Sequence, residues 1–359
     1  MSKKKRAKPA RTTPEHKKLG LSPADLQRMY RFMSLSRLLD DRMMKLQRQG
    51  RIGFYGTASG EEAAVVGSAF ALGESDWVFP ALRQGVAALM RGMLLEVFVA
   101  QCIGNAMDVA KGRQMPVHYS YRSANFVSWS SCIATQLPHA VGMAYAAKYK
   151  GDKAIALAYL GDGATSEGDF HVAMNFAGVL QAPVVFFCQN NQWAISVPLK
   201  QQTAAPSLAV KAQGYGFEGV QVDGNDVLKV YAASRKAVEK ARAGGGPTFI
   251  EAVTYRLGSH SSSDDPTRYR PAGEMEKWEA KDPIVRFRRY MQSHALWDST
   301  VEDALQQELG EMISESVQKA EAAPPLPVDS LFADVYAVPP PRLKKQMQQH
   351  MDALKAQHP

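Results

Sequence analysis

From Leu26 to Leu46 apolar residues recur at helical spacing, through Met29, Phe32 and Met33. That pattern predicts one long helix. Ser22 is placed to cap it and Pro23 to be its first residue. Gly50 and Gly53 close it. A second helix is expected from Gly60 to Gly73, with Glu61 and Glu62 in its first turn, where acids suit the helix dipole. A third is expected over Ala87–Gly104. From Asp152 onward the period changes. Ala154–Leu160 is a short apolar run of strand length, Gly161–Gly168 a glycine-rich turn, Asp169–Leu180 a helix, and Val184–Cys188 a second buried strand. Strand, crossover helix, strand implies a parallel sheet. The pattern returns weakly. Gly219–Val222 reads as a strand, Asn225 and Asp226 cap a helix reaching about Arg242, and Thr248–Tyr255 reads as another strand. A polar loop follows over Gly258–Arg270, then helices near 284–294, 299–322 and 342–355. The expected class is α/β, a parallel sheet flanked by helices, with three parts: a disordered basic arm over 1–20, one domain over 21–323 and a C-terminal extension over 324–359.

The chain has 359 residues and a formal charge of +8. Residues 1–18 hold eight basic residues and one acid, so the body is nearly neutral. A nucleic-acid role therefore loses its electrostatic basis. Apolar runs are too short to span a bilayer, so no membrane role is expected. No apolar segment follows the N-terminal charges as a secretory signal requires. Three cysteines without close spacing give neither a disulfide framework nor a zinc knuckle. These features point to the cytoplasm, with the mitochondrial matrix left open.

The chemistry concentrates at Gly161–Asp162–Gly163 and, 26 residues on, Asn190–Asn191. In a parallel sheet both lie at the carboxyl edge, where ligands bind. Glycines permit a sharp turn and close backbone approach. Asp162 and Asn191 offer hard oxygen ligands which, with diphosphate oxygens, a backbone carbonyl and water, suit octahedral magnesium. Two alternatives stand beside this reading. One is an ordinary turn, with Asp162 as a cap. The other is a nicotinamide-dinucleotide fold, which would want glycine where Ser166 stands and an acid where Gln189, Asn190 and Asn191 stand.

These segments resemble the thiamine diphosphate binding motif. Phe126–Gly142, Lys111–Tyr119, Arg256–Arg270 and Leu331–Gln346 resemble the alpha subunit of the decarboxylase component of 2-oxo acid dehydrogenase complexes, closest to the branched-chain type, over residues 21–350. Pyruvate and acetoin enzymes are the neighbouring alternatives. The resemblance implies a thiamine diphosphate-binding fold in which Asp162, the Asn191 side chain and the Trp193 carbonyl ligate magnesium. Arg83 and Gln189 lie at the diphosphate, and Ser131, Ile133, Gly161, Gly163 and Ala164 line the cofactor site. Ser130, Thr135, Gln136 and the Cys132 carbonyl correspond to a potassium site. His260 is the active-site histidine of a loop, serving acyl transfer to the lipoyl group. Ser261 sits where animal relatives are phosphorylated.

The chain departs from the branched-chain pattern in three places. Leu82 replaces a tyrosine, Gln189 an arginine and Asp162 a glutamate, which shifts the diphosphate clamp toward Arg83 and His260. The carboxylate that activates the cofactor is expected from a separate beta subunit in a two-alpha, two-beta heterotetramer. The other partners implied are a lipoyl acyltransferase and a small 2-oxo acid. Glu61 and Glu62 are read as first-turn helix acids. His118 is balanced between a channel-facing and a structural role.

Overall fold

The computed structural model describes residues 13–357. A single turn, α1 (Glu15–Lys18), precedes α2 (Pro23–Arg48), whose start is the expected one. Ser22 Oγ accepts from Asp25 N at 3.2 Å, and Asp25 Oδ2 in turn accepts from Ser22 N at 2.8 Å. This reciprocal cap satisfies two donors that a helix start otherwise leaves unpaired. The expected disordered arm lies partly outside the described residues. Within them it ends early, because His16 is buried and bonds Tyr290 Oη at 2.7 Å.

The second expected helix is real but shorter, α3 (Glu62–Ala69), and all eight of its residues are buried. After strand β1 (Trp77–Phe79), the single helix expected over Ala87–Gly104 is instead two, α4 (Gly85–Met90) and α5 (Leu95–Ile103). Gly92, at φ +97°, breaks the run. Helix α6 (Gln136–Lys150) precedes β2 (Ala156–Gly161). A 3-10 turn over Asp162–Ser166 fills the expected glycine-rich turn, and α7 (Gly168–Leu180) begins within one residue of its expected start. Strand β3 (Val184–Asn190) follows, then a two-residue hairpin of β4 (Trp193–Ala194) and β5 (Val197–Pro198), and the turn α8 (Leu199–Gln202). Strand β6 (Glu218–Asp223), helix α9 (Val227–Arg242) capped by Asp226, and strand β7 (Thr248–Val253) complete the sheet.

The main sheet runs β1-β2-β3-β7-β6 and every pairing is parallel. This is the expected α/β architecture. Alternate residues serve two cores. On one face Ala156, Ala158, Leu160, Phe186 and Cys188 pack under α6 and α7. On the other Leu157, Tyr159, Val185 and Phe187 meet a larger apolar mass that includes α2, α3 and α9. The helices α10 (Glu274–Glu279), α11 (Pro283–Ser293) and α12 (Ser299–Ala322) follow the loop after β7. The extension ends in α13 (Pro341–Gln357). Its first part is tied down, since Arg113 Nη2 donates to Ala333 O at 3.1 Å and Lys111 pairs with Asp334. No helix among the described residues is long and apolar enough to cross a membrane.

Candidate active site

The tips of β2, β3 and β7 and the residues just past them open into a cavity of about 470 Å³. It gathers most of the residues expected from sequence. Arg83, Ser131, Ile133, Gln136, Gly161, Asp162, Gly163, Ala164, Gln189, Asn191, Trp193 and His260 all line it. Ser130, Cys132 and Thr135 do not.

Register explains why two distant motifs meet. Gly161 stands opposite Gln189 in the β2–β3 ladder, so Asp162 and Asn191 leave adjacent strand ends. Neighbouring strands lie about 4.8 Å apart, and the Asn191 backbone N–H, which donates to Gln189 O at 3.0 Å, is near enough to favour the charged Asp162 carboxylate. Burial pushes the Asp162 carboxyl up, while a bond from Gln202 Nε2 at 2.6 Å and the Asn191 N–H pull it back. The two glycines do different work. A Cβ on Gly163 would stand 2.7 Å from Ala194 Cβ, so the hairpin after β3 requires glycine there. Gly161 has an ordinary extended backbone and nothing within 4 Å of a Cβ position, leaving a bare patch of backbone beside the cavity.

The paired asparagines point opposite ways. Asn190 Nδ2 donates to Glu251 at 2.7 Å and is structural. Asn191 Nδ2 donates to Glu61 Oε1 at 2.9 Å. Glu61, read from sequence as a first-turn acid, is fully buried in the cavity wall. It also accepts Gln189 Nε2 at 2.8 Å and pairs with Arg83 Nε at 3.3 Å. Burial raises its carboxyl, and Arg83 and Asn191 oppose that rise. Gln189 is engaged at both ends, because its Oε1 accepts from Gln84 Nε2. Glu62 turns away, to Arg37 at 2.5 Å.

Arg83 donates to the Thr57 and His260 carbonyl oxygens and keeps a further Nη1 hydrogen unused by these bonds. His260 Nδ1 lies 3.4 Å from Arg83 Nη2 and 3.3 Å from Arg256 Nη1. Burial, then these two guanidiniums, lower the imidazole to about 4. It is therefore neutral at pH 7, with Nδ1 accepting and the proton on Nε2. Arg256, which sequence reasoning missed as a site residue, is fully buried and holds the carbonyls of Trp193 at 3.2 Å and Ile195 at 2.7 Å. His118 does line the cavity, and it is also fixed: Nδ1 bonds Pro116 O at 3.0 Å, Nε2 meets Ser131 Oγ at 2.7 Å, and the ring lies on Trp129 at 4.0 Å. Near the Ser130–Gln136 segment, Gln136 Nε2 donates to Tyr159 O at 2.7 Å while its buried Oε1 has no protein partner.

The family described as "Dehydrogenase E1 component" matches residues 30–329. Over 320 residues the chain is 45% identical to 2-oxoisovalerate dehydrogenase subunit alpha 2, mitochondrial, of Arabidopsis thaliana, covering 89% of this chain and 68% of that one. The Homo sapiens alpha subunit is 44% identical over 322 residues, covering 89% and 72%. That of Caenorhabditis elegans is 44% identical over 321 residues, covering 89% and 74%. The parallel sheet and its carboxyl-edge cavity are those of a thiamine diphosphate-dependent enzyme. The chain belongs to the dehydrogenase E1 component family, and the dinucleotide alternative falls away.

Proposed function

We propose that this chain is the alpha subunit of a branched-chain 2-oxo acid dehydrogenase, 3-methyl-2-oxobutanoate dehydrogenase (2-methylpropanoyl-transferring). The reaction is oxidative decarboxylation with acyl transfer to the lipoyl group of an acyltransferase. The relatives' names favour this substrate class over pyruvate or acetoin. The observation that carries the reading is the meeting of Asp162 and Asn191 at adjacent strand tips beside the open backbone of Gly161.

Thiamine diphosphate, when bound, supplies the electron sink for decarboxylation. The protein's part is to bind, orient and exclude water. Asp162, the Asn191 amide oxygen and the Trp193 carbonyl would hold magnesium. Among the described residues no group of three or more His, Cys, Asp or Glu side chains could hold a metal. One carboxylate, one amide and one carbonyl suit a hard cation that takes its remaining ligands from diphosphate and water. Arg83 offers its unused hydrogen to the diphosphate. Gln189 lines the site but has little left to give. His260 holds a proton at Nε2, placed to serve acyl transfer to the lipoyl sulfur. The partnerless Gln136 Oε1 supports a potassium ion held with Ser130, Thr135 and the Cys132 carbonyl.

The activating carboxylate belongs to the beta subunit in this reading, since Glu61 is already occupied by three donors. The assembly is two alpha and two beta chains, in the cytoplasm, with the mitochondrial location of the relatives as the alternative. The test is turnover of 3-methyl-2-oxobutanoate by the chain alone and co-purified with its beta chain. No turnover alone and robust turnover together are expected. Robust turnover by the isolated chain would overturn the shared-site reading.

A further inference from the structure

Glu61 is a buried carboxylate that the mechanism does not use. Its position is rigid. Gly60, at φ +95°, is wedged so tightly that a Cβ would meet Tyr255 O at 2.3 Å, and its carbonyl accepts Thr254 Oγ1 at 2.9 Å. The helix that Glu61 begins is buried on every side. Such a mount fixes a side chain better than a loop does.

We infer that Glu61 is a positioning residue that sets which face of the Asn191 amide is turned to the metal. A carboxylate only accepts hydrogen bonds, whereas an amide has one accepting and one donating side. With Asn191 Nδ2 held at 2.9 Å from Glu61 Oε1, the amide oxygen is forced to the opposite side. A flipped amide would set oxygen against carboxylate oxygen and present N–H groups, which cannot ligate a cation, to the metal. The same logic runs outward through the neighbouring amides. Gln189 gives Nε2 to Glu61 Oε2, so its oxygen faces Gln84, whose own oxygen is held by Ala81 N at 2.6 Å. Glu61 thus orients the row from one end, in the same sense as two backbone donors, Ala81 N on Gln84 and Trp193 N on Asn191 Oδ1 at a longer 3.3 Å. The simpler role, neutralising Arg83 at 3.3 Å, leaves the two amide contacts unexplained. This inference rests on the magnesium reading proposed above.

The test measures thiamine diphosphate binding by calorimetry, titrated with magnesium, on the assembled alpha–beta complex. Glu61→Met keeps the length and offers no strong acceptor on either side, so nothing in that wall favours the donating face of Asn191. The magnesium needed for half-saturation should rise about tenfold or more, the range seen when a ligand's orienting partner is lost. In an Asn191→Ala background no amide remains to orient, and the Glu61→Met penalty should vanish. In the double variant Glu61→Met with Asn191→Asp, residue 191 has an oxygen on both sides, and half-saturation should return toward the wild-type value. Asn191→Asp alone sets two carboxylates face to face and should not match the double variant. If Glu61→Met fails to fold, the double variant carries the test. An unchanged magnesium requirement in Glu61→Met, or a penalty that persists at full size in the Asn191→Ala background, overturns the inference. Wild-type binding that ignores magnesium removes the metal reading itself, and this inference with it.

Discussion

The two sides of the cavity are built by different means. Asp162 and Asn191 stand on strand ends locked by a parallel ladder from Ala156↔Val184 to Gly161↔Gln189, backed by β7. The loop after β7 has no ladder. It is held by a few isolated backbone bonds, such as Ser262 N to Tyr55 O at 2.8 Å, and mainly by side chains: Asp264 Oδ2 accepts from His260 N at 2.7 Å and Tyr269 Oη at 2.6 Å, and Arg270 Nη2 donates to the carbonyls of Arg256 at 2.7 Å and Gly258 at 2.6 Å. Backbone ladders open only with the fold, whereas a side-chain lattice can come apart locally. One wall therefore shares the stability of the whole domain, and the other can fail by itself.

This contrast can be broken at its strongest point first. Asp162→Ala removes the only carboxylate of the proposed metal set and should lower magnesium-dependent cofactor affinity by at least about 100-fold. Calorimetry checks this, and the thermal midpoint without cofactor should barely move because the ladder is intact. On the loop side, His260→Ala should cut acyl transfer to lipoamide by about 100-fold, the ordinary scale for a lost acid–base group. Cofactor affinity should change far less, and comparing stopped-flow transfer with equilibrium binding separates the two. Asp264→Ala leaves two donors without their acceptor, a cost of about 1–3 kcal/mol. Cleavage after Arg268 or Arg270 in limited proteolysis should quicken about tenfold, while the β2–β3 region stays protected in hydrogen exchange.

The last effect is one of pH. The buried His260 ring sits near 4, below the 6.5 of an unperturbed histidine. The ordered loop therefore binds fewer protons than the open one, and its order is favoured at higher pH. Protection from protease should be constant above pH 6.5 and fall as pH drops toward about 4. His260→Gln should flatten that profile.

The same division governs what could be read in advance. Asp162 and Asn191 were legible because a strand, a crossover helix and a strand have fixed lengths, so spacing alone carries both motifs to one edge. Glu61 was not, because its place depends on β7 and on contacts to Gln189 and Asn191, 128 and 130 residues away. One signal was available. The run from Ala63 to Ala69 has no charged position on any face, the mark of a helix buried all round. Acids in the first turn of such a helix cannot be ordinary surface residues. Strand β1 has only three residues, too few for a period to register, and α6 carries alanine on both its buried and exposed sides, which blurs its stripe. Arg256 and the loop lattice depend on partners that only the folded chain brings together.

Strand β3 reads Val-Val-Phe-Phe before Cys188, so a shift of one position would exchange one apolar residue for another over these positions. The apolar part of the strand thus says little about where along its neighbours it should stop. That decision passes to the polar end, where Asn190 hooks Glu251 and Gln189 hooks Glu61. Slide the strand by one notch and Asn191 would take the structural hook while Gln189 lost its own. The groups that make the cavity useful are thereby also the stop that keeps this central strand in frame.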